Sequence, residues 1–407
     1  MLSSDQMIKK ELFECRRDDL TIRGTIFRAE TEQEENAQVQ TEGKKPVIIL
    51  SHGFMGNEDL MKGYAEKAAE WGYCAFTYDF CGGCAKGRSD GRQQDMSVLT
   101  EVEDLKAVIR FASSLTYTDE NDITLMGSSQ GGFVSGLTAA QLGGQIKKLI
   151  MFYPALCIPD DARKGKMMMA KFNPDKVPEV MNCGPFMKLG REYPMSVMKM
   201  DAVGEIGKYT GPVLIVHGTN DKVVNVTYAK QAFMKFQSQR EGNQPRKDVQ
   251  LVIIEKAGHG FTQKEDGVAI EAVKQFLEGF SPILAVDVFL TAKKITNRHG
   301  ADFTLTLPFT GVSGSPYFSG RILSEAADVQ QWVNGKAVNC CADYFVEGED
   351  YTGQKCTVHI TNRMSPDGVW KPEVSTDSKA LEWLSLAECR AVLEHRRQGP
   401  VVRIYAR

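Results

Sequence analysis

Between residue 46 and about residue 280, short runs rich in β-branched and aromatic residues alternate with segments whose apolar residues recur at helical spacing. The strand candidates are PVIIL (46–50), YCAFTYDF (73–80), ITLM (123–126), KLIMFY (148–153), PVLIV (212–216) and LVII (251–254). The helical segments include LMKGYAEKAAEWG, VLTEVEDLKAVIRFA, YAKQAFMKF and VAIEAVKQFLEGF. This alternation predicts an α/β fold with a mostly parallel sheet and crossover helices.

Different patterns flank this region. Ahead of it, LFECRRDD and LTIRGTIFRAE predict an antiparallel strand pair, followed by an exposed polar loop, TEQEENAQVQTEGKK. After Ser281 and Pro282 the chain changes to short alternating runs with glycine-rich turns, from AVDVFLTA to PVVRIYAR. We therefore predict an α/β domain over residues 1–281 and a smaller antiparallel β-barrel-like domain, or a sandwich, over residues 282–407.

One interval breaks the alternation. Residues 155–210 separate two strand candidates and contain too many prolines for a single crossover helix. We interpret the interval as an inserted lid. It is rich in methionine, whose flexible thioether side chain suits a surface that adapts to varied apolar ligands. The alternative is that these methionines only pack the lid onto the body of the domain.

Composition restricts the partners. Lys plus Arg is 49 and Asp plus Glu is 52, so the net charge of -3 predicts neither a nucleic-acid nor an anionic-membrane partner. We expect a small-molecule partner, with the subunit count left open, a homo-oligomer included. The charged N-terminal segment lacks the apolar core of a signal peptide, and no run approaches the roughly 18 apolar residues of a membrane helix. The chain is predicted to be cytoplasmic, with its ten cysteines as thiols.

The segment Gly127-Ser128-Ser129-Gln130-Gly131 fits the pattern G-x-S-x-G between a predicted strand and a predicted helix. In a nucleophile elbow the serine has a strained backbone, and the residues two before and two after it must be small. Ser129 is therefore the candidate nucleophile. Because glycine and serine are also common in turns, the pentapeptide alone is a weak signal.

Two downstream loops supply candidate partners for Ser129. A serine nucleophile needs a histidine base, and the base needs an acid, in the chain order Ser, Asp or Glu, His. Asp221 follows the strand VLIV, and His259 follows the strand LVII, so both lie at the carboxyl edge of the predicted sheet. Taken singly, Asp221 also fits a turn or cap and His259 a surface loop. Their joint order and placement predict a Ser129-His259-Asp221 triad.

The turn after the first parallel strand, Ser51-His52-Gly53-Phe54-Met55-Gly56-Asn57, is the candidate oxyanion hole. The backbone N–H of Phe54 and that of Gln130 are the two predicted donors. Preorganised donors stabilise a developing alkoxide because little reorganisation is needed when the charge appears. The side chains of His52 and His217 are interpreted as structural braces of their turns.

Residues 46–280 contain the segments SHGFMGN, GSSQGG, HGTNDKVV and AGHGF. Through these segments they resemble serine α/β-hydrolases, and most closely the bacterial cinnamoyl or feruloyl esterase branch. The resemblance implies nucleophile Ser129, acid Asp221, base His259 and oxyanion donors Phe54 and Gln130. It also implies substrate contacts from Asp161, and from Phe186 where the branch has a ligand-binding tyrosine. The sequence departs from the branch at Ser128, where histidine is frequent, and in the longer loop CGGCAKGRSDG. The C-terminal region weakly resembles a family of lipocalin-like barrels of unknown function.

Other candidate sites are weaker. Cys81 and Cys84 have C-x-x-C spacing, but no second cysteine pair or nearby histidine in the sequence completes a zinc site. In the C-terminal region several aromatic residues either line a ligand cavity or form core: Trp332, Trp370, Trp383, Tyr317 and Tyr344. We predict no metal and no organic cofactor.

The combined prediction is a serine hydrolase that cleaves small carboxylic esters with apolar or aromatic acyl groups through an acyl-enzyme. Two rivals remain open. One is an acylaminoacyl-type serine peptidase with the same triad, although such peptidases usually add an N-terminal propeller. The other is a ligand- or partner-binding protein in which the C-terminal domain has the main function.

Overall fold

The computed structural model describes residues 6–31, 43–84, 86–185, 187–239, 244–323, 326–365, 368–396 and 399–407. The chain forms two compact units, the first from Met1–Gln239 and Asp248–Lys274, the second from Arg240–Lys247 and Gln275–Arg407. The predicted loop TEQEENAQVQTEGKK falls largely outside the described residues, and Phe186 does too. The domain boundary near residue 282 stays a prediction.

The first unit is built on a central sheet. Its strands in chain order are β1 Gln6–Arg17, β2 Leu20–Thr31, β3 Lys45–Ser51, β4 Cys74–Tyr78, β5 Thr118–Ser128, β6 Lys148–Phe152, β7 Lys166–Met167, β8 Ala170–Lys171, β9 Val180–Gly184, β10 Met187–Gly190, β11 Val213–Gly218 and β12 Val249–Ile254. Eight of them form one sheet in the order β1-β2-β4-β3-β5-β6-β11-β12. The pairs from β4 to β12 are parallel, and β1 and β2 form the predicted antiparallel pair. The predicted α/β fold is confirmed.

Helices cover the parallel strands. They are α1 Asp59–Glu70, α2 Val98–Ser114, α3 Gln130–Leu142, α4 Ile158–Arg163, α5 Glu192–Val197, α6 Ala202–Ile206, α7 Val226–Gln237 and α8 Gln263–Leu277. Because both faces are covered, the central strand residues 47–50 are fully buried. Ser97 begins α2 through a reciprocal pair of hydrogen bonds with Thr100. In the part of the chain that is described, no helix is long and apolar enough to cross a membrane.

The interval between β6 and β11 departs from the strand-helix alternation, as its prolines predict. It contains α4, α5 and α6 and two small antiparallel pairs, β7 with β8 and β9 with β10. Some of its methionines are buried, including Met181 and Met187, whereas Met169 is 73% exposed. Some of these methionines therefore pack the interval onto the unit, whereas others leave apolar surface accessible. Both interpretations of the methionines agree with the structure.

The second unit is antiparallel. Its strands are β13 Ser281–Leu290, β14 Lys294–His299, β15 Asp302–Gly314, β16 Phe318–Ile322, β17 Ala327–Val333, β18 Lys336–Asp350, β19 Lys355–Met364, β20 Trp370–Thr376, β21 Cys389–Arg396 and β22 Gly399–Ala406. The pairing runs β13-β22-β21-β20-β19-β18-β16-β15, and β15 also pairs with β13, so the circuit closes into a ring. Its inner face holds an apolar core that includes Ile283, Phe318, Val346 and Val358.

Candidate active site

Ser129 occupies the sharp turn between β5 and α3. Its backbone has φ 53° and ψ -118°, a region that side chains rarely adopt. The neighbouring glycines explain how the turn fits: a Cβ on Gly127 would lie 2.2 Å from the Gly131 carbonyl oxygen, and one on Gly131 would lie 2.3 Å from the His52 carbonyl oxygen. The amide of Ser129 donates to the Phe152 carbonyl at 2.9 Å. The turn thus has the strained, glycine-flanked geometry expected of an elbow.

The loops after β11 and β12 bring Asp221 and His259 to Ser129. His259 Nε2 lies 2.9 Å from Ser129 Oγ, and His259 Nδ1 lies 2.8 Å from Asp221 Oδ2. With the carboxylate ionised, Nδ1–H donates to Asp221, which leaves Nε2 free to accept the hydrogen bond of the serine hydroxyl. The structure therefore brings together the three predicted residues in a continuous hydrogen-bonded chain.

Asp221 is held by several donors besides His259. Its Oδ1 accepts from the amides of Val223 at 2.8 Å and Val224 at 2.9 Å, and His217 Nε2 lies 3.3 Å from Oδ2. Burial acts to raise the pKa of Asp221, but the hydrogen bonds from His217, His259 and Val224 outweigh it and hold that pKa below the ordinary value. Asp221 is therefore ionised throughout the neutral range, as an acid that orients a histidine must be.

His217 is fully buried beneath this acid. Its Nε2 lies 3.0 Å from the Val224 carbonyl oxygen as well as near Asp221. A proton on Nε2 satisfies both oxygens, so His217 connects the strand end to both sides of the Asp221 loop. This placement agrees with the predicted bracing role.

The turn after β3 packs against the nucleophile. A Cβ on Gly53 would lie 3.0 Å from Ser129 Cβ, and the turn is closed by a 3.0 Å hydrogen bond from the Gly56 amide to the Gly53 carbonyl. Met55 has φ 60° within this turn. The predicted donors Phe54 and Gln130 thus belong to the two segments that flank Ser129, and their role in an oxyanion hole stays a prediction.

The buried side chain of His52 holds the turn after β3 in place. It is 1% exposed, its Nδ1 lies 2.8 Å from the Gly53 carbonyl oxygen, and its Nε2 lies 3.2 Å from both the Phe80 amide and Cys84 Sγ. Burial lowers the pKa of His52. A neutral ring protonated on Nδ1 donates to Gly53 and accepts from the other two groups, which agrees with the structural role predicted for it.

The Gln130 side chain connects Glu101 and Tyr193, two buried residues that no sequence motif indicated. Gln130 Nε2 donates to Glu101 Oε2 at 2.7 Å, and the Tyr193 hydroxyl donates to Gln130 Oε1. Glu101 is 1% exposed, and burial raises the pKa of this carboxyl well above its ordinary value. The sequence could have indicated that Glu101 is buried, because this charged residue lies on the apolar face of α2 with Val98 and Val102. Tyr193 comes from α5 in the inserted interval, so only the tertiary fold reveals its contact.

Cys81 and Cys84 are free and buried. Cys84, His52 and Asp79 place three potential metal ligands close together. Each already has protein partners: the Asp79 carboxylate accepts from the amides of Glu58 and Arg88, and His52 contacts Cys84 itself. Burial raises the pKa of the Cys81 thiol to about 12 and that of Cys84 still further. Buried thiols with raised pKa values do not suit a reactive redox pair.

Aromatic and thioether groups surround the polar chain. The Tyr153 ring lies 4.8 Å from the His259 ring, and the Phe54 ring lies 6.0 Å from that of Tyr193. A Cβ on Gly184, in the inserted interval, would lie 3.8 Å from Met169 Sδ and 4.0 Å from Met55 Sδ. Part of the inserted interval therefore adjoins the turn that flanks the nucleophile.

Of the two predicted substrate contacts, the structure describes Asp161 but not Phe186. Asp161 lies on α4, is partly exposed, and contacts the Cys157 thiol. Its neighbour Asp160 is the one fixed to the Tyr228 hydroxyl, at 2.5 Å. Phe186 lies outside the described residues. The substrate-binding roles of Asp161 and Phe186 stay predictions.

The strand order and the serine elbow at the end of β5 define an α/β-hydrolase, and the protein is a serine hydrolase of that fold. Residues 61–280, more than half of the chain, match the prolyl oligopeptidase family, and the chain belongs to that family. The structure is similar to Est1E from Butyrivibrio proteoclasticus with ferulic acid bound, at a TM-score of 0.56 and 26% identity over 66% of this chain and 98% of that one. A second structure of Est1E matches at a TM-score of 0.54 and 25% identity over the same shares.

Two curated relatives match a shorter stretch. The quorum-quenching protein AidA of Acinetobacter baumannii is 32% identical over 94 residues, which are 23% of this chain and 30% of that protein. A 31.7 kDa protein from the traX-finO intergenic region of Escherichia coli is 36% identical over 90 residues, 22% of this chain and 30% of that protein. The chain thus matches less than a third of the length of either relative.

Tyr193→Phe tests whether the hydroxyl that supports Gln130 positions the site. The substitution leaves Gln130 Oε1 without its donor, and we expect kcat to fall about threefold to tenfold at nearly constant KM for a small ester, equivalent to about 1 kcal/mol. Steady-state kinetics with p-nitrophenyl acetate measures both constants.

Tyr209→Phe is the matched control, because its buried hydroxyl donates to the Ile146 carbonyl at 3.0 Å outside the hydrogen-bonded chain of the site. It should lower stability without a selective loss of kcat. Equal effects of the two substitutions on kcat would contradict a positioning role for Tyr193.

Proposed function

We propose that the protein hydrolyses small carboxylic esters with apolar or aromatic acyl groups. The observation that supports this most strongly is the continuous hydrogen-bonded chain from Ser129 through His259 to Asp221, with distances of 2.9 Å and 2.8 Å. A serine hydroxyl is a weak nucleophile unless a base within hydrogen-bond reach removes its proton. The geometry satisfies that requirement without rearrangement.

In the proposed mechanism, Ser129 Oγ attacks the ester carbonyl while His259 Nε2 takes its proton. Asp221 orients His259 and stabilises the imidazolium that forms. The N–H groups of Phe54 and Gln130 donate to the oxyanion. His259 then returns the proton to the leaving alcohol, the acyl group remains on Ser129, and a water molecule activated by His259 releases the acid.

The surroundings of Ser129 favour an apolar or aromatic acyl group. Tyr153 packs on His259, and Met55 and Met169 adjoin Gly184 beside the oxyanion turn. Thioether and aromatic surfaces bind such groups by contact area and adapt to their shape. The likeness to Est1E, described with ferulic acid bound, supports the same class of ligand. We propose that residues 155–210 act as a lid and that Asp161 and Phe186 contribute to substrate binding.

A serine peptidase of the acylaminoacyl type is the second candidate, and membership of the prolyl oligopeptidase family favours it. The same three residues would cleave an amide, but an amine leaving group needs more effective protonation than an alcohol. A substrate comparison separates the two candidates. Esters should exceed the anilides of the same acyl groups in kcat/KM, whereas a peptidase would show efficient cleavage of N-acylated peptides.

A cytoplasmic location is also proposed. All ten cysteines are free in the structure, and eight of them are buried. Free thiols persist where the surroundings are reducing.

Ser129→Ala should reduce turnover of p-nitrophenyl butyrate by about four to six orders of magnitude, since the acyl-enzyme cannot form. Ser128→Ala is the matched control, because Ser128 adjoins the nucleophile in the sequence and its side chain forms a hydrogen bond with Tyr153. It should retain most of the activity, and both proteins should unfold near the wild-type temperature. Substantial turnover by the Ser129 variant would refute the assignment.

The pH profile provides a separate test of the base. Acid protonates a histidine base, so kcat/KM should fall tenfold for each pH unit on the acid side, while Asp221, whose pKa is depressed, stays ionised there. A rate independent of pH from 4 to 8, measured with a non-ionising ester, would contradict a histidine base.

Asp221→Asn should lower kcat by about 10⁴-fold by disturbing the tautomer of His259.

A further inference from the structure

The ring of the second unit has an inner face of changing character. Along β18, outward residues such as Phe345 and Glu347 are exposed, and the alternate residues Tyr344 and Val346 are buried. Toward Asp350 the inner residues belong to an apolar core. Toward the start of β18, Ala342 packs at the edge of this apolar core and is only half-buried. The polar side chains discussed next come from the neighbouring strands β17 and β19, which flank this edge of the core.

Strand register places three residues of this region in one row. Asp328 on β17 lies opposite Ala342 on β18, and Ala342 lies opposite Asn362 on β19. Since adjacent strands are about 4.8 Å apart, Asp328 and Asn362 are separated by roughly 10 Å across the small Ala342 side chain. Ala342, whose side chain is a single methyl group, is the residue between them in this row.

Among the described residues, three polar atoms in and beside this row have no hydrogen-bond partner. They are Asp328 Oδ1, Asn362 Oδ1 and the hydroxyl of Tyr344, which is the next inward residue of β18. Tyr344 and Asn362 are each only 4% exposed. Buried polar atoms are nearly always satisfied, because an unsatisfied one costs about 1–3 kcal/mol. Two of the three are acceptors, so a group with several N–H or O–H donors would complement them.

Asp328 also lacks a cation. Its Oδ2 accepts from Gln330 Nε2 at 2.6 Å, and Gln330 Oε1 accepts from Trp332 Nε1 at 3.1 Å. Within the described ranges, no Lys, Arg or His forms an ion pair with Asp328. Burial raises the pKa of Asp328, against the opposing hydrogen bond from Gln330. A cationic partner would offset the free-energy cost of burying this carboxylate in its charged form.

Aromatic rings lie beside the same region. Trp332 stacks on Phe303 with ring centroids 5.5 Å apart, and Tyr344 meets Phe309 edge to face at 5.3 Å. Trp370 is half-buried and lies opposite Met364. Aromatic faces attract organic cations and bind flat apolar groups.

We propose that this region of the ring binds a small organic amine, with its ammonium group between Asp328 and Asn362 and its apolar or aromatic body against the rings. The three N–H donors of a primary ammonium match the unpartnered oxygens of Asp328, Asn362 and Tyr344. This site shares no residue with the chain of Ser129, His259 and Asp221, and the proposal does not depend on the proposed esterase activity.

Tryptamine is the probe, titrated calorimetrically into the full chain beside its hydroxyl counterpart tryptophol and the carboxylate indole-3-acetate. Tryptamine should bind with a Kd in the micromolar to millimolar range, and both counterparts at least about tenfold more weakly. No detectable binding of tryptamine up to about 5 mM, or an equal affinity for either counterpart, would overturn the proposal.

Two variants locate the binding. Asp328→Asn removes the charge, and Ala342→Leu fills the gap in the row, so each should weaken tryptamine binding at least about tenfold. Glu347→Gln is the matched control, because it neutralises an exposed, outward-facing carboxylate on β18 and should leave the Kd within about twofold of the wild type. Circular dichroism checks folding of each protein. An unchanged Kd in whichever of the two variants folds would show that tryptamine binds elsewhere and would overturn the proposal.

Discussion

The strained backbone at Ser129 is the constraint on which the rest of the site depends. A positive φ at a residue with a side chain is unfavourable, so the surrounding chain has to hold it in place. Gly127 and Gly131 permit the close approach of β5, α3 and the turn after β3, with less than 2.5 Å available for an added Cβ at either glycine. The result is a serine hydroxyl presented at the carboxyl edge of the sheet, where the loops containing Asp221 and His259 also end.

Buried polar groups preorganise that edge. Asp221 is fixed by two amides, His217 and His259. Burial lowers the pKa of His52, which braces the turn after β3. Gln130 is held between a buried Glu101 and Tyr193. In a low-dielectric setting such satisfied networks restrict motion, whereas a partly satisfied one is costly.

Local patterns predicted much of the fold and the order of the site. The apolar periodicity of residues 98–112 anticipated α2 Val98–Ser114, and the G-x-S-x-G pattern located the elbow. Contacts between distant segments were beyond such patterns: Tyr193 reaches Gln130 from an interval of short, proline-interrupted elements. In the second unit, strands β14, β17, β20 and β21 were also missed. Of these, β14 is polar and largely exposed, and Pro372 interrupts the β20 pattern. Hydrophobic alternation alone does not reveal strands that pairing stabilises.

The most direct test of the account is intact-protein mass spectrometry after incubation with a fluorophosphonate, followed by peptide mapping. An activated serine reacts with this electrophile, whereas an ordinary surface serine does not. We predict a single adduct on Ser129, with no labelling of Ser128. A folded protein that acquires no adduct, or one labelled at another serine, would contradict the central claim that Ser129, His259 and Asp221 form a working catalytic site.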